Sequence, residues 1–107
     1  MTVKELAARL ATEVETLQLI DVREPAEWDI VHLPPFTLLP LSEFPQWSPQ
    51  IRQLFDPDRE TLVLCHHGVR SAQMGYWLIQ QGFRNVKNIV GGIDAYAAAV
   101  DPSLPRY

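Results

Sequence analysis

Thr61-Leu62-Val63-Leu64-Cys65-His66-His67-Gly68-Val69-Arg70-Ser71 is the stretch whose reading decides the fold. A short apolar run leads straight into a cysteine and a polar turn, and Met74, Trp77 and Leu78 then follow at helical spacing. The run predicts a strand buried on both faces, and the spacing predicts an amphipathic helix over 71–81. Gly82 stops that helix, with Phe83 placed to pack back as in a Schellman cap. Strand, short loop and helix in this order are one unit of a parallel sheet.

The flanking sequence repeats the alternation. Leu17–Val22 predicts another buried strand, followed by a helical turn over Glu24–Trp28 that opens with Pro25. A further strand is expected at Phe36–Leu39, fenced by Pro34, Pro35 and Pro40. Ser42–Phe55 predicts a broken helix that restarts at the Ser48-Pro49 pair and ends at Asp56-Pro57. The last strand is expected at Val86–Val90, after which Gly91-Gly92 turns into a helix bearing Ile93, Tyr96, Ala97 and Val100. At the other end, Thr2 and Glu5 form a capping box ahead of an apolar stripe of Val3, Leu6, Ala7 and Leu10. The expected fold is therefore α/β: a small parallel β-sheet with helices on both faces, one domain over residues 1–107. Ligands of such sheets bind beyond the carboxyl ends of the strands, where Cys65 stands.

Composition narrows the function. A chain of 107 residues with 47% apolar and 21% charged residues has globular composition, which argues against disorder. Its apolar runs are far shorter than the roughly 20 residues of a membrane helix, so no membrane association is expected. The first residues lack a signal-peptide pattern and one cysteine makes no internal disulfide, so the expected location is cytoplasmic. The net charge is −4, yet residues 61–93 contain no Asp or Glu and carry Arg70, Arg84, Lys87, His66 and His67. A locally positive segment on an acidic body suits a small anionic substrate and not nucleic acid.

The loop from Cys65 to Ser71 carries the chemistry. Between a buried strand and a helix N-terminus, its backbone N–H groups can curl inward as an anion-binding nest, and the helix dipole adds to it. Such surroundings favour a thiolate. Gly68 stands mid-loop, where a tight curl calls for positive φ. Arg70 either hydrogen-bonds an anionic substrate or bonds the loop's own carbonyls. A lone cysteine after a strand is also a common small buried hydrophobe. That alternative leaves the glycine, the arginine and the polar turn unexplained.

These residues resemble the active-site loop of the rhodanese-type sulfurtransferases, whose pattern is Cys-x-x-Gly-x-Arg-Ser/Thr. Leu19-Ile20-Asp21-Val22-Arg23-Glu24-Pro25-Ala26-Glu27-Trp28 is similar to that family's first signature. Asn88-Ile89-Val90-Gly91-Gly92-Ile93-Asp94-Ala95-Tyr96 is similar to its C-terminal signature, with Tyr96 where tryptophan is commoner. The resemblance implies a rhodanese-like fold and thiosulfate sulfurtransferase activity. Cys65 would be the nucleophile, taking sulfane sulfur from a donor such as thiosulfate, holding it as a persulfide, and passing it to cyanide, a thiol or a protein acceptor. It implies that His66, His67, Gly68, Val69, Arg70 and Ser71 bind the substrate, that Asp21 and Arg23 support the loop, and that no cofactor is needed. Rhodanese-like phosphatases resemble a longer Cys-x₅-Arg pattern; here the spacing is Cys-x₄-Arg, which favours sulfur over phosphate. Two further alternatives are a dedicated persulfide carrier and a binding module without turnover.

Other residues admit plainer readings. Adjacent His66 and His67 rarely aim at one ion, and no separate cysteine or histidine cluster completes a set, so no metal is expected. They instead tune loop polarity, meet the donor, or simply face solvent. Asp21 and Arg23 also fit a local ion pair capping the first strand. Trp28, Trp47 and Trp77 read as packing residues, with Trp47 assigned to the pocket mouth. Family members often read Gly-His-Ile-Pro-Gly-Ala where this chain has Val31-His32-Leu33-Pro34-Pro35-Phe36. Val31 and Pro35 resist positive φ, so a different turn is expected there, with His32 in a structural hydrogen bond.

Overall fold

Side chains alternate across a strand, and here the alternation builds two cores. The computed structural model describes residues Met1–Tyr107. In chain order it contains α1 (Val3–Thr12), β1 (Gln18–Asp21), α2 (Pro25–Ile30), β2 (Thr37–Leu38), α3 (Phe44–Trp47), α4 (Ile51–Leu54), β3 (Thr61–Leu64), α5 (Val69–Gln80), β4 (Val86–Asn88) and α6 (Gly92–Ala99). Leu62 and Leu64 of β3 join Leu19 of β1 in a core closed by Val3 and Leu6 of α1 and Ile93 of α6. Val63 and Cys65 face the other way, with Ile20 and Val22, onto Trp47, Ile51, Met74 and Leu78. Every residue of β1 and β3 is buried, as expected for central strands covered on both sides.

The strands are all parallel, in the order β2-β1-β3-β4. The chain thus reverses direction across the sheet between β1 and β3, and their carboxyl ends lie side by side. Asp21 pairs with Leu64, and the Val22 amide donates to the Leu64 carbonyl at 3.0 Å. This is the topological switch point of the sheet, where α/β proteins bind ligands. Cys65 follows directly.

Local signals account for most element ends. The Thr2–Glu5 capping box opens α1. The α5 end is a Schellman motif, with the Phe83 amide bonding Leu78 O at 3.1 Å and the Gly82 amide bonding Ile79 O at 3.0 Å. Several element bounds depart from expectation, β4 for one ending at Asn88 and not Val90. Edge strand β2 keeps two residues, because it has one neighbour and prolines close by. Helix α5 starts two residues early, with Gly68 as its N-cap. Ser48 makes no capping bond: Trp47 and Ser48 already have helical dihedrals, so one 3₁₀ turn joins α3 to α4. A capping hydroxyl needs an extended residue there.

The Val31–Phe36 turn departs from the family pattern without strain. Val31 is extended (φ −162°), no residue other than glycine has positive φ, and the Phe36 amide closes the turn on Leu33 O. The His32 ring stacks on Trp28, and its Nδ1 lies 2.9 Å from the Trp28 carbonyl, the structural role expected. No helix is long and apolar enough to cross a membrane.

Candidate active site

The Cys65 sulfur sits at the centre of its own loop. The residue is 1% exposed, and Sγ accepts from the Gly68 amide at 3.0 Å and from the Ser71 hydroxyl at 3.2 Å. A thiolate accepts such bonds better than a thiol does. The Gly68 amide reaches the sulfur because Gly68 has φ +99°, as the tight curl requires. Ser71 also donates to Asn88 Oδ1 at 2.5 Å, and its single proton serves one acceptor at a time. Asn88 returns a bond from Nδ2 to the Gly68 carbonyl at 3.1 Å. The end of β4 therefore braces the loop.

A second brace comes from α6. Its first-turn amides have no helical partners, and they find them in the loop: Ile93 N donates to Cys65 O at 2.9 Å and Asp94 N to His66 O at 3.1 Å. This approach depends on Gly92, at φ +64°, where a Cβ would lie 2.4 Å from the carbonyl oxygens of both Cys65 and His66.

Arg70 is engaged by a residue that the sequence reading did not single out. Its guanidinium bonds no loop carbonyl and makes a fork-to-fork pair with Glu27 of α2, at 2.7 and 2.9 Å. The Arg70 bonds hold the Glu27 carboxyl down at about 2, helped by the Glu24 amide and the Tyr107 hydroxyl. Glu60 is likewise held at about 2, first by Arg9 and then by Lys87. Both carboxyls are depressed, so their stabilising effect is complete above the ordinary value of 4.5 and is lost as pH falls towards 2. The thermal midpoint is expected to drop across that window, and the Glu27→Gln, Glu60→Gln double variant should show a flatter profile. Equal acid sensitivity in the two proteins would refute this assignment.

The remaining predicted residues fall in distinct places. His66 is half-buried, its ring stacked on Tyr107 and tilted 30° to that of His67; burial pushes its pKa down. His67 faces solvent, 3.8 Å from Asp94. Asp94 thus joins the two histidines in a group whose ligand-type atoms lie within 4.8 Å of one another, an assembly the sequence reading did not anticipate. Arg106, however, holds both Asp94 oxygens. The Val69 side chain is exposed and only its backbone, as the first residue of α5, belongs to the loop.

Asp21 and Arg23 form a fully buried ion pair. Arg23 Nη2 also bonds the Val31 carbonyl at 2.7 Å, and Nη1 bonds the Tyr107 hydroxyl at 2.8 Å. The pair reaches the loop indirectly, through Tyr107 and Glu27. A pocket of about 250 Å³ opens beside the loop, lined by Leu41, Phe44, Arg70, Gln73, Met74 and Trp77. Trp47 is not at its mouth as expected. It lies behind Phe44 and Trp77, with Nε1 bonded to Pro40 O, because a buried indole N–H needs an acceptor.

Glu27, Asn88, Gly92 and Tyr107 are site residues that motif spacing did not single out by role. Their long-range side-chain bonds cross 17 to 84 residues of chain.

The rhodanese-like domain family profile matches residues 2–99. A relative from Arabidopsis thaliana, Rhodanese-like/PpiC domain-containing protein 12, chloroplastic, is 48% identical over 98% of this chain, which spans 36% of that relative's length. A protein of Allochromatium vinosum named Sulfurtransferase is 36% identical over 88% of this chain and 83% of its own. The crystal structure of a rhodanese-like domain protein from Staphylococcus aureus superposes with a TM-score of 0.78 at 27% identity, covering 100% of this chain and 96% of that one. With the profile covering nearly the whole chain and the fold shared end to end, the chain belongs to the rhodanese-like domain family.

Proposed function

We propose that the chain is a sulfurtransferase in which Cys65 carries the sulfur. The Cys65 thiolate attacks the outer sulfur of a donor such as thiosulfate. The S–S bond of the donor breaks, sulfite leaves with its electron pair, and Cys65 is left as a persulfide. A thiol, cyanide or a protein nucleophile then attacks the outer sulfur, and the Cys65 thiolate returns. Splitting the transfer in two is the usual gain of covalent catalysis, and no external oxidant or cofactor enters. One observation carries the reading: the Gly68 amide and the Ser71 hydroxyl both lie within hydrogen-bond reach of Sγ, on a loop braced from β4 and α6. A single free cysteine also fits a reducing compartment such as the cytoplasm.

A second reading, a persulfide carrier for a partner, draws support from Arg70. Its charge is already answered by Glu27, so it offers a small dianion less than a free guanidinium would. The adjoining pocket is mostly apolar and suits a donor or acceptor with an apolar group. Phosphate transfer loses support for the same reason.

Intact-protein mass spectrometry after incubation with thiosulfate, and separately with an alkyl persulfide, tests these readings. Gain of one sulfur from thiosulfate, reversed by cyanide, supports the first; gain from the persulfide alone supports the second. If a folded, reduced protein gains sulfur from neither, sulfur transfer is the wrong reaction.

A further inference from the structure

Cys65 is 1% exposed, held between its own loop and the core on the α5 side, and the segment after α6 packs against that loop. Asp101 turns the chain by bonding the Ser103 amide, Leu104 packs on the core, and Arg106 forks onto Asp94 at 3.0 and 3.1 Å. Tyr107 then lies over the loop. Its ring stacks on His66 at 3.9 Å with planes 4° apart, and its hydroxyl donates to Glu27 at 2.7 Å while accepting from Arg23. His66 is the first loop residue after Cys65, and Glu27 holds Arg70 near the loop's far end. One side chain therefore ties the two sides of the loop together.

We propose that residues 101–107 form a strap that gates Cys65, so that donor and acceptor reach the sulfur when Tyr107 lifts. The inference rests on Cys65 being the reacting sulfur, since a group 1% exposed must be uncovered to react with a second molecule. One observation singles out the strap as the moving part. The cradle is held by backbone bonds from α6 and by Asn88, whereas the Arg106–Asp94 anchor is a surface pair, and such contacts open at little cost.

Alkylation of Cys65, the one cysteine, reads the gate without any sulfur donor. Rates with small iodoacetamide and bulky N-phenylmaleimide are compared for wild type, Tyr107→Ala, Tyr107→Phe and Arg106→Ala. Tyr107→Ala is expected to raise the iodoacetamide rate about tenfold and the maleimide rate more, because local opening no longer limits access. Tyr107→Phe and Arg106→Ala keep part of the strap's anchoring and should fall between. A Tyr107→Ala rate within twofold of wild type overturns the gate. So does equal acceleration with both reagents, which marks an altered thiol and not an uncovered one. If Tyr107→Ala does not fold, Tyr107→Phe decides by the same comparison. Failure of the sulfur-transfer reading shows separately, as a protein that alkylates through the gate yet never gains sulfur.

Discussion

Gly92→Ala is expected to destabilise the protein by about 3 kcal/mol or more, since it adds backbone strain to a hard overlap. The residue has φ +64°, and its new Cβ would sit 2.4 Å from the Cys65 and His66 carbonyl oxygens. Both obstacles are backbone, so neither can rotate away. Relief requires α6 to back off from the loop, and that breaks the Ile93–Cys65 and Asp94–His66 bonds. Gly75→Ala is the matched control. Gly75 lies inside α5, and its added Cβ would meet only the Val86 side chain, at 3.4 Å. Alanine also favours a helix interior by up to about 1 kcal/mol, so the control should change stability little. Urea unfolding of the two variants checks this. A Gly92→Ala midpoint as high as that of Gly75→Ala would show that α6 is not a brace of the loop.

Cys65→Ser is expected to lower sulfur transfer by about 10³-fold or more while leaving the fold in place, as removal of a covalent nucleophile does. Serine is nearly the same size and can accept the bonds from Gly68 and Ser71, so the loop has no steric reason to rearrange. An alcohol, however, is a far poorer nucleophile towards sulfur at neutral pH, and it forms no persulfide. Turnover of donor with cyanide, followed beside thermal unfolding, separates the two effects. Residual activity within tenfold of wild type in a folded Cys65→Ser protein would remove Cys65 from the reaction.

These two expectations differ in how far they were readable from the chain. The role proposed for Cys65 was legible because its signals are local. A buried strand, a cysteine, a glycine and a helix follow one another within a few residues, and the period of the apolar side chains marks where strand becomes helix. The positive φ of Gly68 was legible for the same reason. The capping box of α1 and the Schellman end of α5 are further local cases, since each is closed by bonds spanning three to five residues. Where local reading failed, at Ser48 and at the short β2, the neighbouring elements had already set the backbone.

The surroundings of the sulfur were another matter. Arg70 was singled out, but its partner Glu27, 43 residues away, was not. Tyr107 carried no signal at all, being a lone aromatic residue in a proline-containing segment.

By itself, then, the sequence determined the alternating elements, the parallel sheet and the position of Cys65 at a strand's carboxyl end, because periodicity, caps and turns are near-neighbour effects. Only the tertiary structure decided which charge answers Arg70, which helix braces the loop and what lies over His66. Those contacts depend on the strand order β2-β1-β3-β4, which brings the ends of β1 and β3 together and with them residues that no spacing along the chain relates.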